Sequence, residues 1–178
     1  DRAGTLIHEL EGRPACLIQF LSGVSVSHPT PAQAHAAAEA MGRMHAAAAD
    51  FPLDRPNSMG FDTWLPLFER CGHSLDEIQP GLYDDIGFAL DDVRSAWPGD
   101  YLDRCAIHAD LFPDNVLMLG NRVTGLIDFY FACTDIRVYD LAVMHAAWSF
   151  DASGRAHDKA VGDALIQGYA QSFPLSDL

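Results

Sequence analysis

Apolar and polar positions along this chain change period several times, and each change marks the edge of an element. Two apolar stretches, Thr5 to Leu10 and Ala15 to Leu21, flank Glu11-Gly12-Arg13-Pro14, which predicts a β-hairpin with a glycine turn. Gly23 to Pro29 is small and polar and reads as a connector. Thr30-Pro31-Ala32-Gln33 combines an N-cap, a first-turn proline and a capping-box glutamine, so a helix is expected from there to about Ala49. Its apolar face carries Ala37, Met41, Met44, His45 and Ala48 at three- and four-residue spacing. Phe51 to Asp62 holds two prolines and a glycine and predicts a long irregular segment, functional or mobile.

From Thr63 onward the chain mixes helices with short strands. Helices are expected over Thr63 to Cys71 and Leu82 to Trp97, the latter with Asp84, Asp85, Asp91 and Asp92 mostly outward. Arg104 to Ile107 reads as a short strand. Val116 to Leu119 and Val123 to Ile127, split by Gly120-Asn121-Arg122, predict a tight hairpin. Asp135 is placed to cap a helix from about Arg137 to Phe150, with Leu141, Met144, His145 and Trp148 inward. Asp140 falls in its first turn, where the helix dipole favours a carboxylate. A last amphipathic helix, Asp158 to Phe173, turns Val161, Leu165, Ile166 and Tyr169 to its apolar side.

The chemistry gathers around the tight hairpin. His108-Ala109-Asp110-Leu111-Phe112-Pro113-Asp114-Asn115 precedes it, and Ile127-Asp128-Phe129 closes it. The residue before the first strand and the residue after the second end side by side. Asn115 and Asp128 therefore offer two hard oxygens suited to Mg²⁺. Asp110, on the same loop, is near enough to take a proton from a hydroxyl attacking a metal-bound phosphate. A base, an amide and a second acid in this order are the catalytic-loop and metal-aspartate parts of a kinase. Singly, these residues have plainer readings: Asp110 and Asn115 as turn formers, His108 as a buried brace, His45 as a core histidine, and Asp135 and Asp140 as helix-end groups. The joint spacing of His108, Asp110, Asn115 and Asp128 around one hairpin favours the chemical reading, with Asp110 and His108 as the catalytic candidates, whereas the structural reading is the stronger one for His45, Asp135 and Asp140.

The His108–Asn115 loop has the form H-x-D-x-x-x-x-N, and Asp135 with Tyr139-Asp140-Leu141-Ala142 has the form D-x-x-x-x-D-L-A. Both resemble the aminoglycoside phosphotransferase and choline kinase-like superfamily. More narrowly, the loop and the string Gly125 to Cys133 are similar to the bacterial homoserine kinase family within it, as is Arg55-Pro56-Asn57-Ser58-Met59-Gly60 with Trp64 beyond. The likeness runs over nearly the whole chain. It departs at Ala146, where an Asn is expected two residues before Trp148. The resemblance implies an α+β, protein-kinase-like fold: residues 1–22 as the last strands of a nucleotide lobe and its hinge, and residues 23–178 as a mostly helical large lobe. It further implies ATP and Mg²⁺ as cofactors, adenine held by the main chain at Gln19 and Leu21, and homoserine as the substrate, with Asn57 and Asp135 facing it. Kinases of another small alcohol, such as an amino alcohol or an aminoglycoside, and a non-catalytic kinase-like binding module are the alternatives.

Composition narrows the setting. A chain of 178 residues, nearly half of them apolar, can bury one sizeable core. The net charge of −14 argues against a nucleic-acid partner, and no apolar run reaches membrane-span length. Four scattered cysteines, Cys16, Cys71, Cys105 and Cys133, form no zinc or disulfide pattern and suit a reduced, cytoplasmic setting. Lys159 is the only lysine and lies after the catalytic loop. A kinase fold requires an upstream strand lysine and a cover loop over the phosphates. The chain is therefore expected to be part of a longer protein and not to turn over by itself.

Overall fold

A computed structural model describes residues 4–97 and 102–173. Its elements in chain order are strands β1 (His8–Leu10) and β2 (Arg13–Ala15), helices α1 (Pro31–Ala47), α2 (Phe61–Cys71) and α3 (Leu82–Ala96), strands β3 (Arg104–Ile107), β4 (Val116–Leu119), β5 (Arg122–Leu126) and β6 (Cys133–Ile136), and helices α4 (Arg137–Ser149) and α5 (Lys159–Ser172). Three two-stranded antiparallel sheets result, β1–β2, β3–β6 and β4–β5.

The first hairpin forms around the expected turn but is much shorter than its apolar flanks. Leu6, Ile7, Leu10, Leu17, Ile18 and Phe20 are all largely exposed, so the apolar surface that would extend the strands is not buried here. The connector contributes more than its composition suggested. Val24 exchanges both main-chain hydrogen bonds with Met118, at 3.0 and 2.9 Å, and adds one rung to the β4 edge.

Helix α1 begins as its sequence dictates, with Thr30 and Gln33 forming a reciprocal capping box. Its alanine face is not padding. Ala34, Ala37, Ala38 and Met41 are fully buried and let α5 approach closely. At Gly168 the backbones meet: an added Cβ would overlap the carbonyl of His35. At Gly42 the approach is less severe, an added Cβ coming 3.0 Å from both the Ser172 side chain and the Tyr169 carbonyl. The main core joins these helices to α4 through Leu141, Met144 and Trp148, and to the loop and hairpin through Leu111, Val116 and Met118. Ile166, expected on the apolar side of α5, stands exposed instead, because that side narrows to Val161, Leu165 and Tyr169. His145 likewise sits half-buried beside Gly162 and His157 rather than in the core.

Asp135 does not cap α4. It belongs to β6, pairing with Cys105, and Ile136 takes the cap position without a side-chain bond. The extended stretch before α4 is long enough to make four ladder pairs with β3, and that pairing overrides the capping signal. No helix among the described residues is long and apolar enough to cross a membrane.

Candidate active site

The β4–β5 hairpin turns at Gly120, whose φ of +61° suits glycine at the first turn position. Below the strands the ladder continues by one bond, from the Ile127 N–H to the Asn115 carbonyl at 3.0 Å. Asn115 thus stands opposite Ile127, one residue from Asp128. Asn115 is buried and its amide nitrogen donates to Asp110 twice, to the main-chain carbonyl at 2.7 Å and to the carboxylate at 3.2 Å. The predicted base and the predicted amide ligand are therefore in direct contact.

That bonding orients Asn115. With Nδ2 spent on Asp110, the amide offers its Oδ1, a hard acceptor. Asp128 is exposed, and its carboxylate makes no hydrogen bond or ion pair among the described residues. Its backbone has φ +64°, in the left-handed region that a non-glycine residue enters at a cost. An amide oxygen and one free carboxylate fit a magnesium ion that keeps part of its water shell and also binds phosphate. Among the described residues no cluster of three or more His, Cys, Asp or Glu side chains could hold a metal.

The loop carrying Asp110 is fixed from behind. Asp140 is wholly buried on the first turn of α4; its Oδ2 accepts from the His108 N–H and its Oδ1 from the Ala109 N–H, both at 2.8 Å. Ala109 has φ +63°, and the twin bonds hold it there. His45 on α1 donates from Nε2 to Asp140 Oδ2 at 2.9 Å, and its Nδ1 accepts from the Tyr169 hydroxyl at 2.9 Å. Burial pushes the Tyr169 phenol above its ordinary range, so it remains a donor. Trp148 adds a bond from its indole to the Leu111 carbonyl, 2.9 Å.

His108 braces the loop as its plainer reading held. Its Nε2 faces the Ile127 carbonyl at 2.9 Å, which can only accept, so the proton is on Nε2. Nδ1 then receives the Asp110 N–H at 3.3 Å. One imidazole joins the base loop to the strand that leads into Asp128.

The remaining sequence candidates are placed differently. Asn57 donates to Asp135 Oδ2 at 2.8 Å and accepts the Met59 N–H at 2.9 Å, so the two predicted substrate residues are bonded to each other. Arg104 approaches the other Asp135 oxygen at 3.3 Å. Gln19 is exposed, and Leu21 packs over Gly125 of β5. Cys105 and Cys133 are buried free thiols whose pKa burial raises to about 11, Cys71 is half-buried and Cys16 exposed. Sequence reasoning missed Asp140 and His45 as the loop's anchor. A buried-face histidine and a first-turn aspartate were visible, but not that they meet.

This architecture is a kinase-like α+β fold. An aminoglycoside-3′-phosphotransferase of type VIII superposes with a TM-score of 0.64 at 20% identity, covering 97% of this chain and 68% of that one. The chain belongs to the phosphotransferase enzyme family, whose profile matches residues 2–174. Among its curated relatives, the homoserine kinase of Methylobacterium nodulans is 44% identical over 174 residues, 98% of this chain and 54% of that protein. The homoserine kinase of Parvibaculum lavamentivorans is 43% identical over 175 residues, again 98% and 54%. The chain spans about half the length of the curated relatives it matches.

Proposed function

We propose that the intact protein is an ATP-dependent kinase that phosphorylates the hydroxyl of L-homoserine, working in the cytoplasm on the route to threonine. The observation that supports this reading is the bond between Asn115 and Asp110, which uses the amide nitrogen and leaves the amide oxygen available to a cation beside the Asp110 carboxylate. The identity to relatives named homoserine kinase supports the choice of substrate.

In this reading Asp110 accepts the hydroxyl proton as the alcohol attacks the γ-phosphoryl group. Asn115 and Asp128 hold Mg²⁺, which when bound offsets the charge of the phosphate oxygens. The main chain at Gln19 and Leu21 meets the adenine edge. His108, Asp140 and His45 touch neither substrate nor nucleotide; they keep the base in place, and such positioning contributes much of the rate in phosphoryl transfer.

The test is a substrate panel on the intact protein with coupled ADP detection. Homoserine should support turnover far above choline, ethanolamine or an aminoglycoside. Turnover of choline or an aminoglycoside ahead of homoserine would reassign the substrate, and ADP release with none of them would remove the kinase reading.

A further inference from the structure

Arg55 lies in the irregular segment between α1 and α2, yet it reaches the far side of the site. Its guanidinium Nη1 donates to the main-chain carbonyls of Tyr130 at 2.8 Å and Ala132 at 3.2 Å. Its own main chain pairs with the same region: the Thr134 N–H donates to the Arg55 carbonyl at 2.7 Å, and the Arg55 N–H donates to Thr134 Oγ1 at 3.2 Å. Pro56 continues this as a parallel bridge to Thr134. Further along, Asn57 binds Asp135, and the Met59 carbonyl accepts the Tyr139 hydroxyl at 3.1 Å. All these contacts fall on residues 130–139, just after Asp128.

What they fix is a short turn whose aromatic side chains are largely at the surface. Asp128 has its left-handed backbone and leads directly into a single 3₁₀ turn, Phe129–Phe131. Phe129 and Phe131 are partly exposed and Tyr130 is 71% exposed, so apolar burial does little to set the turn. Its closing hydrogen bond runs from the Ala132 N–H to the Phe129 carbonyl at 3.2 Å, and the Phe129 ring rests against His108. A cation bonded to two successive-turn carbonyls is a stronger tether than that neutral bond. Without it, Asp128 can relax toward an ordinary backbone region and carry its carboxylate away from Asn115.

We propose that Arg55 is a positioning residue for Asp128: it clamps the 129–132 turn so that the carboxylate stays where the metal is held. This rests on the reading of Asp128 as a Mg²⁺ ligand. Residues that orient a ligand commonly change metal affinity about 10- to 100-fold when removed.

The experiment compares wild type, Arg55→Met, Arg55→Lys and Asp128→Ala in the intact protein. Calorimetry measures ADP binding with Mg²⁺ and with EDTA, and hydrogen exchange follows the amides of residues 128–133. Arg55→Met should weaken Mg·ADP binding about tenfold or more, leave metal-free ADP binding and the melting temperature near wild type, and speed exchange in that segment. Arg55→Lys, which keeps a cationic donor, should recover part of the loss. Wild-type Mg·ADP affinity in Arg55→Met beside a clear loss in Asp128→Ala overturns the clamp and leaves the metal site standing. Equal loss with and without Mg²⁺, together with a lowered melting temperature, overturns it as well, because the role is then only structural. Unchanged affinity in Asp128→Ala removes the metal reading first and the clamp with it.

Discussion

The Asp140 carboxylate and the His45 imidazole meet at 2.9 Å with neither side chain exposed, although 95 residues separate them in sequence. That contact ties α4 to α1, and Tyr169 extends it to α5. The same carboxylate takes the main-chain N–H groups of His108 and Ala109, at the start of the loop that carries Asp110. The helical core is therefore assembled around an acid whose remaining capacity serves the loop. A buried carboxylate is costly unless its lone pairs are filled, and here three donors fill them.

Replacing Asp140 with Ala strands those donors in the interior. Loss of a charged buried acceptor shared by several donors is expected to cost about 3 kcal/mol or more. Urea unfolding of the intact protein checks this, and Asp140→Asn should be milder because an amide oxygen still accepts. A cost below about 1 kcal/mol would mean that the loop does not depend on this anchor.

Close approach of α1 and α5 makes a second prediction. Gly168→Ala puts a methyl group against the His35 carbonyl, a backbone atom that cannot turn aside. Overpacking of this kind costs about 1–3 kcal/mol. The higher helix propensity of alanine should fail to offset it, and thermal denaturation should show a lowered midpoint; a raised midpoint would mean that the two helices are free to separate.

A third prediction concerns pH. Burial, and then the neighbouring His157, hold the His145 pKa below its ordinary value of 6.5, against a smaller opposite effect of Asp163. The unfolded chain therefore binds this proton more readily than the folded one. The resulting penalty on the fold is absent above the ordinary histidine range and grows as pH falls through it. His145→Gln should lose less melting temperature than wild type between about pH 7 and about pH 5.5. Parallel pH profiles for the two proteins would contradict the assignment.

Much of this was legible in the chain, for local reasons. The capping box at Thr30 and Gln33 and the glycine turn of the β4–β5 hairpin are short-range signals, and the structure keeps both. The hairpin also brought Asn115 to the residue beside Asp128, but through a bulge between Leu117 and Met118 that the periodicity does not show: it shifts the register by one, so that Asn115 faces Ile127 rather than Leu126. Long-range partners were not legible. The apolar face of α1 marks His45 as a hydrogen-bonded core histidine, and it is one, but nothing local names Asp140 and Tyr169 as its partners. Asp135 was misplaced because β3, its pairing partner, lies 30 residues away and outweighs a local cap. Arg55 sat in a stretch with no period at all, where its meaning depends on carbonyls more than 70 residues distant.

Asp110→Asn tests the central claim most directly, since it keeps the shape and the Asn115 contact while removing the base. Measured in the intact protein with homoserine, turnover should fall by about two to four decades while Mg·ADP affinity stays near wild type. Turnover within a few-fold of wild type would show that the proton goes elsewhere, and the reading of this loop as a phosphoryl-transfer site would fall.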